Sequence, residues 1–363
     1  MAFDFASAVI VLVGPLPPPS GGMANQTKQL ARFLEREGAR VRIVRTNAPY
    51  SPRVVGNVRG VRALFRLVPY VRELKRSLRD ATLVHVMANS GWSWHLFAAP
   101  ALWTARRFGV PVVLNYRGGD AARFFARSFG RVERTLRWAN RIIVPSRFLK
   151  EVFEEFGVTA EIVPNIIDLE RFRPAAAVNG SGPRILIARN LEPIYDIATG
   201  IRAFSLLRGE VEGASLAVAG TGPERRRLEA LARELALGDS IRFLGRIDHE
   251  EMPGLYARAD IALNASLVDN MPNSILEALA SGVPVVSTNV GGVPALVRDG
   301  EDAVLVRAGD AEAMAQALVS LWKAPERREA LRTAGLETVS QFGWPSVRER
   351  WADVYDDVVG GRE

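Results

Sequence analysis

Asp269 and Glu277 bracket a helix start in the segment DNMPNSILEALASGVPVVSTNVGG, with seven residues between them. Carboxylates can accept hydrogen bonds from hydroxyl groups, and the open N–H groups of a helix start attract phosphate. Asn270, Pro272 and Asn273 are helix-opening residues, since Asn can cap free N–H groups and Pro is tolerated in a first turn. Gly282 and Pro284 stop the helix, and VPVVST beyond them reads as a buried strand. Ile275, Leu279 and Gly282 recur at helical spacing and are expected to face a sheet. Glu277 lies about 200° round the helix from Ile275, so it shares its face with Asn273 and Ser274. A ligand joining phosphate to sugar hydroxyls, a nucleotide-sugar, suits that pattern. A capped surface helix with a solvated glutamate accounts for the same residues equally well.

Other motifs sit where strands hand over to helices. GPLPPPSGGM places Gly21 and Gly22 just before a helix, where glycine allows close backbone approach to a ligand. A tight structural turn is the alternative. The loop is not a G-x-G-x-x-G fingerprint, and no acidic residue ends the next strand, RVRIVRTN, which disfavours a nicotinamide enzyme. Arg117 in NYRGGD ends a strand, where an arginine can hold phosphate or carboxylate bidentately; a surface Arg in a Gly turn is the plain reading. Arg189 ends PRILIAR in the corresponding way. GTGP, Gly220 to Pro223, is either a phosphate-approach turn or an ordinary one. His85, His95 and His249 have no ligand spacing, and His85 alternates within TLVHVM as a core residue would. No D-x-D pair is present to chelate a metal against a diphosphate. The G-x-S-x-G and P-loop signatures are missing as well.

A chain of 363 residues suggests two domains. Its 48% hydrophobic and 24% charged content is ordinary for a globular protein, and no apolar run is long enough for a transmembrane helix. The N-terminal FASAVIVLVGPLPPPSGG lacks a basic start and a cleavage site and reads as a first strand and loop. The absence of cysteine excludes disulfides, thiolate metal sites and a Cys nucleophile, and fits a reducing cytoplasm. The net charge of +7 is mostly Arg. Its densest stretch runs from 53 to 79, with Arg53, Arg59, Arg62, Arg66, Arg72, Lys75, Arg76 and Arg79 interleaved with apolar residues. That is a candidate contact with anionic lipid, or else a solvated helix face. No nucleic-acid partner is expected, because no binding signature accompanies the charge.

Strand-like and helix-like segments alternate throughout, which implies parallel sheets with right-handed crossovers. SAVIVLV, ARVRIVR, TLVHVM, VPVVLNY, RIIVP and AEIVP are strand candidates in the first half. PRILIA, ASLAVAG, SIRFLG, DIALNA, VPVVST and DAVLV are those of the second. The Pro-, Gly- and Ser-rich stretch around 165–183 is read as the hinge, giving an N-terminal domain over 1–170 and a C-terminal one over 183–343. The segment 344–363 reads as a last amphipathic helix, with Val347, Trp351 and Tyr355 on one face, that crosses back to the first domain.

Together these residues resemble the retaining glycosyltransferases of family 4, also called group 1, over nearly the whole chain and most closely from 184 to 306. The resemblance implies the GT-B fold, an α/β architecture of two Rossmann-like doubly wound domains facing across a cleft. It also implies transfer of a sugar from a nucleoside-diphosphate sugar to a hydroxyl of a glycan or glycolipid, in surface polysaccharide synthesis at the inner face of a membrane. No metal or other cofactor is required, and the donor is expected to be a UDP-sugar ahead of a GDP-sugar. In the family's E-x7-E motif the first carboxylate contacts the donor sugar and the second the ribose, positions that Asp269 and Glu277 occupy here. Asn273 and Ser274 would offer backbone N–H groups to the diphosphate and sugar. Gly21 and Gly22 match the glycine loop, Arg189 the phosphate-binding arginine, and Gly245, Arg246 and Ile247 the base pocket. VPS at 144–146, NIID at 165–168 and GGVP at 291–294 are further landmarks.

Three departures bear on catalysis. Arg117 stands where the family usually has His, Asp269 where it has Glu, and Tyr195 where a Lys usually follows the arginine. A charge-stabilising donor in a closed site is worth about 2.7–4 kcal/mol, so Arg117 is expected to make up part of the lost lysine across the cleft. The alternative is a catalytically degenerate homologue that binds or scaffolds.

Overall fold

The computed structural model describes residues 3–18, 21–49, 62–175 and 182–361. The chain divides into two compact units, Met1–Ile166 with Trp344–Glu363, and Ile167–Gly343. The twelve segments with strand character in the sequence are twelve strands. The first unit holds β1 (Val9–Gly14), β2 (Arg40–Arg45), β3 (Leu83–Ala88), β4 (Val112–Tyr116), β5 (Arg141–Val144) and β6 (Glu161–Ile162). The second holds β7 (Arg184–Ala188), β8 (Ser215–Ala219), β9 (Ile241–Gly245), β10 (Ile261–Asn264), β11 (Val285–Thr288) and β12 (Val304–Val306).

Both sheets are parallel throughout, in the orders β2-β1-β3-β4-β5-β6 and β12-β11-β10-β7-β8-β9. A parallel sheet covered by helices on both faces needs strands that are apolar on both sides, not alternating ones. LVHVMA in β3 and VVST in β11 are buried at every position for that reason. Strand order reverses between β1 and β3 in the first sheet and between β7 and β10 in the second. The crevice at such a reversal, outside the carboxyl ends of the strands, is where open α/β sheets bind ligands.

The last helix, Trp344–Gly360, belongs to the first unit. Val347, Trp351 and Tyr355 are wholly buried in one apolar cluster with Leu83, Met87, Val113 and Ile143. Tyr355 Oη meets His85 Nδ1 at 2.8 Å, and Trp344 Nε1 donates to Glu37 at 2.9 Å. His85 is a core residue: burial, with Arg117 nearby, pulls it down to about 3, so it stays neutral. Of the basic stretch, positions 53–61 lie outside the described residues, and the rest forms the helix Arg62–Ser77 and the turn after it.

Candidate functional site

Two chain exits meet at the strand reversal of the second sheet. Arg189 follows β7, and its backbone N–H donates to the Ala219 carbonyl at 3.0 Å. Asp269 lies in the loop after β10, the strand paired with β7. Glycines lock both backbones. A Cβ at Gly220, where φ is +151°, would lie 1.9 Å from the Arg189 carbonyl oxygen. One at Gly291, where φ is +53°, would lie 2.0 Å from that of Asp269. GTGP is therefore a turn packed on the backbone of 189–191, and the first glycine of GGVP braces Asp269, to whose carbonyl Gly292 N–H donates at 2.9 Å.

The side chains then converge. Arg189 Nη2 donates to Asp269 Oδ2 and, at 3.3 Å, to Ser266 Oγ. Ser266 Oγ also donates to Asp269 Oδ2 at 3.1 Å, and Asn270 N–H donates to Oδ1 at 3.1 Å. Arg189 and Asp269 are only 11% and 10% exposed, so water screens the pair weakly and the loss of either partner strands a buried charge. Burial pushes the Asp269 carboxyl up while Arg189 and Ser266 draw it down; the net shift is upward. Tyr195, half-buried, lies beneath the arginine with its ring centroid 4.1 Å from the guanidinium carbon. Arg189 Nε is buried and has no hydrogen-bond partner.

The helix opened by this loop is Asn273–Ala280. Pro272 occupies its N-cap and, as a proline, offers no capping side chain. Ile275 and Leu279 are buried as their spacing required. Glu277 is not solvated: it is 8% exposed, because Tyr256 and His249 close over its face. Tyr256 Oη lies 3.1 Å from Glu277 Oε2 and 3.1 Å from the Ser274 carbonyl, and His249 Nε2 lies 3.8 Å from Oε1. Burial raises the Glu277 carboxyl to about 7, against the lowering influence of Tyr256, Arg189 and Arg171. Ser274 Oγ is buried without a partner.

Gly245 ends β9 with φ +72°, and its carbonyl accepts from Gly220 N–H at 2.8 Å. Arg246 is exposed beside Asp248 at 3.9 Å, while Ile247 packs on the cluster that contains Tyr256 and Ile275. The loop leads to His249, whose carbonyl accepts from Arg171 at 2.9 Å. His249, Tyr256, Arg171 and Ser266 were not singled out from the sequence as site residues. They are isolated in the chain, and only the sheet and loop geometry brings them to Glu277 and Asp269.

Gly21, Gly22 and Arg117 belong to the first unit. Gly21 precedes the helix Gly22–Arg36, and a Cβ there would meet nothing within 4 Å. Its lack of a side chain answers to no neighbouring protein atom. Arg117 follows β4; its Nη1 donates to Asn165 Oδ1 and its Nε is buried without a partner. Burial draws the guanidinium down to about 9, leaving it charged at neutral pH.

Two helix-wrapped parallel sheets of six strands define a GT-B architecture. Solved structures agree in fold. Sucrose-phosphate synthase from Thermosynechococcus elongatus superposes with a TM-score of 0.76 at 21% identity, over 97% of this chain and 100% of that one. The Anabaena protein HepE, in complex with UDP and glucose, gives 0.74 at 17% over 95% and 99%. Residues 168–338 match the family described as glycosyl transferases group 1, and residues 20–171 match glycosyltransferase family 4. The chain belongs to the group 1 glycosyltransferases. Among relatives, a glycogen synthase of Mycobacterium tuberculosis is 30% identical over 72% of this chain and 66% of its own length. A GDP-mannose-dependent phosphatidylinositol monomannoside mannosyltransferase of the same organism is 30% identical over 54% and 56%. A phosphatidyl-myo-inositol mannosyltransferase of Mycobacterium leprae is 28% identical over 93% and 94%.

Proposed function

We propose that the protein transfers a sugar, with retention of configuration, from a nucleoside-diphosphate sugar to a hydroxyl of a glycan or glycolipid. The observation that carries this reading is the burial of Arg189–Asp269 and Glu277 around one helix start at a strand-order reversal. Arg189, with its buried and unspent Nε–H, takes the diphosphate together with the backbone N–H groups of Asn273 and Ser274. Asp269 accepts from hydroxyls of the donor sugar and Glu277, when ionised, from those of the ribose. Gly245, Arg246 and Ile247 line the base. As the C1–O bond to the diphosphate breaks, charge grows on the departing phosphate, and a fixed buried cation stabilises it. The acceptor oxygen bonds to C1 on the same face and its proton passes to the departing phosphate oxygen. No protein nucleophile or metal enters that scheme.

The donor is a UDP-sugar or a GDP-sugar; the mannosyltransferase relative, which by its name uses GDP-mannose, keeps the second in contention. A lipid-linked acceptor at a membrane's inner face fits one further feature. On the helix Arg62–Ser77 and the turn after it, Phe65, Val68, Arg72, Lys75 and Arg79 are exposed at alternating spacings of three and four. That single apolar and basic face suits an anionic bilayer surface. Among the described residues no helix is long and apolar enough to cross a membrane.

Calorimetric titration with UDP, GDP, ADP and dTDP, first with EDTA and then with Mg²⁺, tests the reading. Selective micromolar binding that needs no metal and is weakened in Glu277→Ala is the expected result. Binding to none of them rejects it. A second reading, a homologue that binds the donor without turnover, is favoured by Asp269 being already engaged by Arg189 and Ser266. Nucleotide binding without transfer to acceptor or water would select it.

A further inference from the structure

We infer that Tyr195 is a positioning residue, its ring face holding the guanidinium of Arg189 in the orientation that meets the donor diphosphate. The inference rests on the function proposed above and adds a residue to it. Tyr195 closes the short turn Pro193–Tyr195 that follows β7, and its N–H donates to the Glu192 carbonyl at 3.0 Å. The next residue, Asp196, has φ +39°, the left-handed region that a non-glycine residue enters at a cost. Its carboxylate accepts from Thr199 Oγ1 at 2.6 Å, which anchors the turn to the following helix. The turn is also tied to the loop that carries Asp269, because Leu267 N–H donates to the Ile194 carbonyl at 2.8 Å. One rigid turn thus sets Tyr195 and Asp269 with respect to each other.

Arg189 is held between them. Its Nη2 is spent on Asp269 and Ser266, and its guanidinium carbon lies over the Tyr195 ring, 4.1 Å from the centroid. An aromatic face attracts a cation without consuming an N–H donor. The stack therefore fixes the guanidinium and leaves the buried, unpartnered Nε–H for an anionic oxygen. Burial is the main cause that pushes the Tyr195 phenol up, so the ring stays neutral and its face stays available over the ordinary pH range. A flexible aliphatic side chain at this position would leave Arg189 tethered at one nitrogen only.

The test uses the full chain and calorimetric titration with UDP and GDP, and with UMP and GMP, on the wild type, Tyr195→Phe and Tyr195→Leu. Tyr195→Phe keeps the ring face and is expected to bind the diphosphate within twofold of wild type. Tyr195→Leu is expected to lose about three- to tenfold in diphosphate affinity, with much less lost for the monophosphate. A general structural role would weaken both nucleotides alike. Equal diphosphate binding by Tyr195→Leu and wild type would overturn the inference. So would a Tyr195→Phe as impaired as Tyr195→Leu, since the hydroxyl would then be the acting group. A wild-type chain that binds no nucleoside diphosphate would instead remove the proposed function, and the inference with it. If Tyr195→Leu melts before it can be titrated, Tyr195→Met serves as the aliphatic variant.

Discussion

Replacing Glu277 by Gln should convert a pH-dependent protein into one that is much less so. Burial lifts the Glu277 carboxyl from 4.5 to about 7, against the lowering pull of Tyr256, Arg189 and Arg171. The sign follows from which state holds the proton. At pH 4 the folded and unfolded chains are both protonated and nothing is lost. Between 4.5 and 7 the unfolded chain ionises first, so folded stability falls with rising pH, and the loss is complete above 7. That rise corresponds to about 3 kcal/mol. Urea unfolding of wild type and Glu277→Gln at pH 5 and pH 8 reads it: the variant should gain on the wild type by about that amount at the higher pH. Ligand binding should run the opposite way, because only the carboxylate accepts two hydroxyl hydrogen bonds. Wild-type affinity for UDP or GDP should rise about tenfold from pH 6 to pH 8, following the ionised fraction. The nucleotide's own phosphate titrates in this range, so the Glu277→Gln profile is the baseline. Parallel stability profiles for the two proteins, together with parallel affinity profiles, would refute the argument.

Further predictions concern both units. Gly291→Ala places a Cβ 2.0 Å from the Asp269 carbonyl at φ +53°, and should cost about 3 kcal/mol in denaturant unfolding and weaken nucleotide binding along with stability. Arg117→Ala should lower kcat by about a hundredfold while UDP and GDP affinity stays within twofold, as measured by initial rates and calorimetry. Substituting Arg72, Lys75 and Arg79 by Glu on the exposed helix face should abolish sedimentation with vesicles containing phosphatidylglycerol. Wild-type binding to those vesicles should fall as salt is raised from 50 to about 300 mM, and salt-independent binding would contradict the electrostatic account.

The sequence carried the architecture further than it carried the site. The central strands among the described residues were visible because a strand buried on both faces is a short, mostly apolar run, as VPVVST and TLVHVM are, while RVRIVR at an edge alternates instead. Strand order was not visible, since nothing local tells β10 to pair with β7 and not with β9. The paired carboxylates and Arg189 stood out by their positions at strand and helix ends, yet helical angle alone left Glu277 with a solvated alternative. Its burial comes from Tyr256 and His249, which approach from other elements. The glycines divide in the same way. GTGP was legible as a turn and GGVP only as a landmark of the resemblance, but only the fold shows that Gly220 and Gly291 make room for the carbonyls of Arg189 and Asp269. The sequence by itself determined which segments are strands and helices and which residues could do chemistry, because those follow from local periodicity and residue type. The tertiary structure decided which distant groups meet: Arg189 with Asp269 and Tyr195, and Glu277 with Tyr256 and His249. Contacts, burial and charge at a site depend on separation in space, and separation along the chain does not encode it.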